Sequence, residues 1–324
     1  MTLTYQNPVF PEYFADPFVF RHEGVYYAVG TDAGLAEGGL FPILRSLNLV
    51  DWERAGYALS HGEQVSGNEF WAPEVAFHGG VFYLYYSVGP GNESGHVLRV
   101  ATSDSPEGPY LDQGRVLPHT DQPFTIDAHP FLDDDGAWYL FYARDFLDTG
   151  AESKPGTALV VDRLVGMTET AGEERTVLRA TQPWQRFMSD RPMYGGVYDW
   201  HTLEGPCVLK HGGRYYCLFS GGRWENESYG VDFAVADHPM GPWRADASES
   251  PRVLRTIHGK VLGPGHNSAV VGPDGETLFI CYHAWDPAMT ARRLFIDPLV
   301  WTEDGPRALG PTTTPQTIRI KEPG

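Results

Sequence analysis

The sequence is poor in cysteine and in long apolar runs. It has three cysteines, Cys207, Cys217 and Cys281, and they form no CxxC pair. We therefore expect no zinc site, and such sparse cysteine is typical of a reducing compartment. No apolar run approaches the roughly 20 residues that a membrane helix requires, so we expect no membrane partner.

Positive charge is also scarce. The chain has 24 Lys and Arg against 42 Asp and Glu, which gives a formal net charge of −18. Phosphate binding needs clustered Lys and Arg, so we expect no nucleic-acid partner. The N-terminus lacks a basic segment followed by an apolar one, the pattern of a secretory signal, and a cytoplasmic location is expected.

Aromatic residues, in contrast, are abundant, with 17 Tyr, 17 Phe and 9 Trp in 324 residues. Such a surplus suits a strand-rich fold, and it also suits a surface on which rings stack against the apolar faces of sugars. The chain has neither a long helical period nor a linker. We therefore expect a single domain over residues 1–324.

One sequence unit recurs five times along the chain. Each copy has a polar head, a short apolar strand, a turn containing glycine and a second apolar strand, and the turns are strong hairpin signals. Strand-like segments between the copies bring each unit to four antiparallel strands. The sequence therefore predicts an all-β fold, a five-bladed β-propeller around a central channel. The copies begin near Ala15, Trp71, Ile126, Leu203 and Gly265.

The heads of the repeats carry most of the candidate functional residues. In a propeller the innermost strands line the channel, so the heads converge at one end of it. Clustered carboxylates repel each other and resist desolvation, which indicates acid–base chemistry in which one carboxyl stays protonated and another stays ionised. The residues at the heads are Asp16, Glu74, Asp127, Glu204 and His266.

Taken together, the motifs of this chain resemble glycoside hydrolase family 43, the five-bladed propeller enzymes that degrade arabinan and xylan. The resemblance covers nearly the whole chain. The motifs that carry it, in chain order, are Ala15-Asp16-Pro17, Trp71-Ala72-Pro73-Glu74, Ile126-Asp127-Ala128-His129-Pro130, Leu203-Glu204-Gly205-Pro206, Gly263-Pro264-Gly265-His266-Asn267 and Arg292 to Trp301.

The resemblance implies an inverting glycosidase with three acidic catalytic residues. Asp16 would be the general base that activates water, and Glu204 the general acid that protonates the leaving oxygen. Asp127 would raise the pKa of Glu204 and hold it in place. Inversion requires two carboxyls about 6.5–9.5 Å apart, and strands from different blades can supply that separation.

Other residues have two readings each. Glu74 either binds substrate or satisfies buried backbone, and Trp71 is either a sugar platform or a core ring. His266 either lies near the axis, where some relatives hold a calcium or other ion through waters, or is a satisfied buried histidine. Neighbours on a strand face opposite sides, so one of Arg292 and Arg293 should reach the sugar, and the family position favours Arg292.

Several activities fit the same three acidic residues. The first is release of terminal α-L-arabinofuranose, or of β-D-xylose, from short oligosaccharides. Insertions at 33–42 and 181–200 favour this exo action, because they could close one end of the cleft. The alternatives are an endo-arabinanase, a non-catalytic sugar-binding propeller, and a retaining enzyme of the invertase type, whose Asn-Asp-Pro-Asn signature is absent.

Overall fold

The computed structural model describes residues 1–34, 39–60, 67–91, 94–117, 123–148 and 153–321. Helix in this part is limited to a 3-10 turn at Pro183–Gln185, and none is long and apolar enough to cross a membrane. The strands, in chain order, are β1 (Thr2–Tyr5), β2 (Ala15–His22), β3 (Val25–Thr31), β4 (Leu40–Ser46), β5 (Glu53–Leu59), β6 (Glu69–His78), β7 (Val81–Gly91), β8 (Gly95–Ser103), β9 (Leu111–Arg115), β10 (Thr125–Leu132), β11 (Trp138–Phe146), β12 (Gly156–Arg163), β13 (Arg175–Leu178), β14 (Arg186–Met193), β15 (Gly196–His211), β16 (Arg214–Gly221), β17 (Gly230–Ala236), β18 (Leu262–Val271), β19 (Leu278–Trp285), β20 (Arg292–Thr302), β21 (Gly305–Ala308) and β22 (Gln316–Arg319).

Most of these strands form five blades. Blades 1, 2 and 5 are four-stranded antiparallel meanders, β2–β5, β6–β9 and β18–β21. Blade 3 is β10–β13, and blade 4 is built on β15–β17. The expected fourth strand of blade 4 is reduced to two isolated bridges, Val235 to Arg244 and Val231 to Leu254, because the chain there turns through prolines and then becomes polar.

The blades close into a ring. The inner strands β2, β6, β10, β15 and β18 each contact the next, and β18 contacts β2. Five apolar clusters fill the spaces between neighbouring blades, one cluster for each of the five interfaces. The predicted five-bladed propeller is confirmed, and its core lies between sheets rather than at a single centre.

The two ends of the chain pair with each other outside the blades. Strands β1 and β22 form a separate antiparallel sheet, with Leu3 opposite Ile318. Tyr5 and Ile318 are buried in the cluster between blades 1 and 5. This two-stranded sheet therefore covers one interface, while every blade is built from consecutive strands.

Residues 161–179 are polar and mixed in sequence, yet they complete β12 and contain β13, so they belong to blade 3. Cys207, Cys217 and Cys281 are all buried and free of disulfides.

Candidate active site

Each inner strand is interrupted near its start by a β-bulge whose central residue has a positive φ, between 47° and 59°. A bulge bends the strand and redirects its side chains, here at the channel mouth. Repeat spacing had matched Glu74 and Glu204 to this position. Instead, Glu74 lies two residues after the bulge centre of its strand, and Glu204 lies one residue before. The five bulge centres are Asp16, Ala72, Asp127, Gly205 and His266.

Hydrogen bonds between neighbouring blades hold these bulges in place. In four of the five, the backbone N–H of the central residue donates to a side chain on the second strand of the preceding blade. This ring of contacts satisfies buried N–H groups that the bulges remove from the strand ladders. The pairs are Ala72 to Thr31 Oγ1 (2.9 Å), Asp127 to Ser87 Oγ (3.0 Å), His266 to Ser220 Oγ (2.7 Å) and Asp16 to His283 Nδ1 (3.0 Å).

Blade 3 lacks this acceptor side chain on its second strand, and the carboxylate of Asp127 takes its place. Ala143 occupies the place that Ser87 has in blade 2, since it pairs with Ile126 on the neighbouring strand. Alanine has no acceptor to offer to the next bulge. The N–H of Gly205 donates instead to Asp127 Oδ2 at 3.0 Å, which brings this carboxylate beside the residue that follows Glu204.

A cavity of about 380 Å³ opens at this end of the channel. Six of the residues singled out from the sequence line it, and Glu74 is not among the lining residues. Trp71 lines the cavity and stacks on His96 with ring centroids 3.8 Å apart, and its role as a sugar platform stays a prediction. The six are Asp16, Trp71, Asp127, Glu204, His266 and Arg292.

Asp16 is surrounded by nitrogen atoms. Its Oδ1 lies 3.2 Å from Arg292 Nη1, 3.5 Å from His266 Nδ1 and 3.2 Å from His283 Nδ1. Burial lowers the pKa of both histidines, that of His283 to about 4, so Arg292 is the neighbour that keeps its charge at neutral pH. Although burial opposes ionisation of Asp16, its neighbours, above all the Arg292 guanidinium, hold the pKa of Asp16 well below the usual range.

Arg292 is itself firmly held. Its Nη2 donates to the Tyr13 hydroxyl at 2.6 Å, and its guanidinium lies 4.3 Å from the centre of the Trp224 ring. Its neighbour Arg293 faces the other way and donates to the Pro11 carbonyl at 2.7 Å. The alternation expected from the sequence therefore holds, and Arg292 is the arginine that lines the cavity.

Among the described residues, neither Glu204 nor Asp127 forms an ion pair with an arginine or lysine. Burial is the main cause that raises the pKa of Glu204 to about 7, and the Asp16 charge adds to it; a 2.6 Å hydrogen bond from the Tyr229 hydroxyl and the Arg292 charge oppose it. Burial also raises the pKa of Asp127 well above its usual value, and repulsion from Glu204 and Asp16 raises it further. This pair therefore retains a proton near neutral pH, whereas Asp16 is ionised.

Glu74 belongs to a structural network between blades. Its Oε2 lies 2.7 Å from His129 Nδ1, and His129 Nε2 accepts a hydrogen bond from the Val208 N–H at 3.0 Å. Since Nε2 is the acceptor, Nδ1 carries the proton and donates to Glu74. This chain links blades 2, 3 and 4 and corresponds to the structural reading of Glu74.

The described residues offer little to a metal ion. They contain no group of three or more His, Cys, Asp or Glu side chains arranged as ligands. Arg292 already compensates Asp16, the carboxylate nearest His266. The calcium ion near His266 therefore stays a prediction from family resemblance, and no step below uses it.

Sequence reasoning missed four residues of this site: Tyr13, Trp224, Tyr229 and His283. Tyr13 had a local signal, because it stands three residues before Asp16 in the same motif. The other three come from blades 4 and 5 and reach the site only through the ring closure. Tyr229, which donates to Glu204, is also stacked parallel to His283, with centroids 5.9 Å apart.

Comparison with known proteins supports the family that the sequence resembles. The family described as Glycosyl hydrolases family 43 matches residues 5–306. A β-D-galactofuranosidase from Aspergillus niger is 30% identical over 92% of this chain and 83% of its own length. An extracellular exo-α-(1→5)-L-arabinofuranosidase from Streptomyces avermitilis is 25% identical over 94% of this chain and 63% of its own length.

A crystal structure of a thermostable family-43 glycoside hydrolase superposes with a TM-score of 0.83 at 34% identity, covering 96% of this chain and 98% of that one. The similarity of sequence and fold therefore extends over nearly the whole chain. The chain belongs to glycosyl hydrolase family 43.

Proposed function

We propose that this glycosidase is an inverting, exo-acting α-L-arabinofuranosidase that releases terminal arabinose from oligosaccharides derived from arabinan or arabinoxylan. Asp16 removes a proton from the attacking water. Glu204 donates its proton to the glycosidic oxygen as the bond to the anomeric carbon breaks. The products are a free pentose of inverted configuration and a shortened oligosaccharide.

The observation that carries this proposal is the opposite surroundings of two carboxyls in one cavity. A general base must be ionised and a general acid protonated at the same pH. Asp16 lies 3.2 Å from Arg292 Nη1, which favours its ionised form, whereas at Glu204 burial outweighs the Tyr229 hydrogen bond and the Arg292 charge and favours the protonated form. Both residues line the cavity, from blades 1 and 4, so the sugar and the attacking water can bind between them.

Asp127 acts through Glu204. Its carboxylate accepts the Gly205 N–H, which fixes the backbone directly after the acid. Its position beside Glu204 also makes it unfavourable for both groups to ionise together. Removing Asp127 would therefore disturb both the orientation and the protonation of the acid.

The remaining lining residues suit the binding of one terminal sugar. Trp71 offers a ring surface for the apolar face of the sugar, and Arg292 and His266 offer hydrogen-bond donors near Asp16. Both predicted insertions contribute to the cavity wall, the first through Ala33 and Gly34 and the second through residues of β14. Residues 35–38 of the first insertion lie outside the described residues. Walls that come from both insertions support exo action.

A second candidate is hydrolysis of β-D-galactofuranosides, and the Aspergillus niger relative favours it. The two sugars have the same ring configuration and differ in the exocyclic chain at C4. A site that binds only the furanose ring would accept both sugars. The space in the cavity for the substituent on C4 would then determine which of them is cleaved faster.

The test is a set of initial rates on aryl α-L-arabinofuranoside, aryl β-D-galactofuranoside, aryl β-D-xyloside, arabino-oligosaccharides and linear arabinan, with Glu204→Ala in parallel. We expect the arabinofuranoside to be cleaved fastest and Glu204→Ala to abolish cleavage of arabino-oligosaccharides. NMR of the first product should show the inverted anomer. Release of oligomers from arabinan alone would replace the exo assignment with an endo one, and a retained anomer would exclude the assigned base.

A further inference from the structure

A hairpin arm made of β14 and the first part of β15 forms one wall of the cavity. The arm turns at Tyr194 and Gly195 and leads directly into the strand that carries Glu204. It is also tied to blade 3, because β15 pairs in parallel with β12 at Thr157 and Thr202. The residues of the arm that line the cavity are Phe187, Arg191 and Met193.

A polar cluster lies where the arm meets blade 3, and none of its members takes part in the proposed acid–base chemistry. Asp145, only 6% exposed, lines the cavity. Its Oδ1 accepts the Thr157 hydroxyl at 2.9 Å, and its Oδ2 accepts the Tyr194 hydroxyl at 2.7 Å. Arg191 also lines the cavity, with its guanidinium 4.9 Å from the centre of the Phe187 ring.

This cluster is built for polar contact rather than for packing. Burial raises the pKa of Asp145 to about 6, which shows that its two hydroxyl donors and the nearby Arg191 charge do not fully offset desolvation. Each carboxylate oxygen can accept more than one hydrogen bond. Asp145 therefore keeps acceptor capacity on the side that faces the cavity, next to the cationic donor Arg191.

The position of the cluster relative to the scissile bond follows from strand register. Asp145 pairs with Thr157, which pairs with Thr202, so two strand spacings of about 4.8 Å separate Asp145 from Thr202. Glu204 lies two residues, or about 7 Å, further along β15. Blades 3 and 4 are also the two blades that do not adjoin blade 1, which carries Asp16.

In an inverting reaction, water attacks from the side opposite the leaving group. The sugar that leaves must therefore extend past Glu204, away from Asp16 and toward blades 3 and 4. We propose that Asp145, Thr157 and Arg191 form the subsite for this leaving sugar, with Asp145 accepting and Arg191 donating hydrogen bonds to its hydroxyls. This inference rests on the proposed roles of Asp16 and Glu204, but it does not depend on which terminal sugar is released.

The test compares two substrates with the same terminal sugar and different leaving groups: an aryl glycoside and the corresponding disaccharide. The aryl group has no hydroxyls for the subsite to bind. For Asp145→Asn and Arg191→Gln we expect kcat/KM on the disaccharide to fall roughly tenfold or more, the loss of a charged hydrogen bond. On the aryl glycoside both variants should stay within about twofold of wild type.

Asp148→Asn serves as the matched control. Asp148 is an exposed acid just beyond the end of β11, the strand that carries Asp145, and its carboxylate pairs with Arg179. It should behave as wild type on both substrates. Arg191→Gln changes a partly exposed residue, so it reports on the subsite even if Asp145→Asn is unstable. Equal losses on the two substrates, or no loss on either, would overturn the proposal. If a different terminal sugar is released, the arabinofuranosidase assignment fails, and the same comparison with that sugar still tests the subsite.

Discussion

The two sides of the cavity contain the same functional group in opposite surroundings. On the side of blades 1 and 5, Asp16 meets a guanidinium. On the side of blades 3 and 4, Glu204 and Asp127 meet hydroxyl and N–H donors but no comparable cation. Burial alone would raise the pKa of all three, so the placement of one arginine decides which carboxyl acts as base.

The largest effects are expected from removing the acid and the base, and the two should differ in kind. Asp16→Asn should lower kcat by about 10²–10⁴-fold on every glycoside, because water always needs activation. Glu204→Gln should lose as much on an oligosaccharide but far less on an aryl glycoside whose phenol leaves without a proton. Steady-state rates on both substrate types will show this. If the two variants lose activity in the same proportion on both substrate types, the assignment of Asp16 as base and Glu204 as acid is wrong.

A smaller effect should separate two adjacent arginines. Arg292→Gln removes the cation beside Asp16, so the pKa of Asp16 rises and the acidic limb of the kcat/KM profile moves to higher pH. We also expect a roughly tenfold to hundredfold loss of activity. Arg293→Gln is the matched control and should keep the wild-type profile. If the acidic limb is the same in both variants, Arg292 does not keep Asp16 ionised.

The smallest effect concerns the alkaline limb. The acid is competent while protonated, so wild-type kcat/KM should decline above about pH 7, where Glu204 loses its proton. The Tyr229 hydrogen bond favours the ionised form of Glu204, so Tyr229→Phe should raise the pKa of Glu204 and move this limb to higher pH. A pH series on an oligosaccharide measures the shift. A move to lower pH would contradict the assigned role of Tyr229.

The fold and the cluster of acidic residues were predictable because their signals are local. Each hairpin turn and each polar head consists of a few consecutive residues. One copy alone would be a weak signal, but five copies together predict the fold strongly. The alternation of Arg292 and Arg293 was predictable for the same reason, since strand geometry alone requires it.

What the sequence did not reveal depends on distant contacts. The spacing of the repeats does not reveal where the bulges lie, so the sequence analysis placed Glu74 at the same position as Asp127. Glu74 instead lies two residues after the bulge centre of its strand and pairs with His129. Nothing near Tyr229 in the sequence points to Glu204. The role of Ala143 is visible only as a missing acceptor side chain in a series that the other four blades supply.

The positive φ at the bulge centres implies a conflict between stability and activity. Left-handed backbone costs a residue with a side chain about 1–2 kcal/mol, and glycine avoids this cost. Ala72→Gly should therefore stabilise the protein by about 0.5–1 kcal/mol with activity unchanged, whereas Ala76→Gly, in the regular part of the same strand, should destabilise it. Urea midpoints will measure both. At Asp16 and Asp127 the same relief would remove two of the proposed catalytic carboxyls, so an enzyme that uses them cannot reach its most stable backbone.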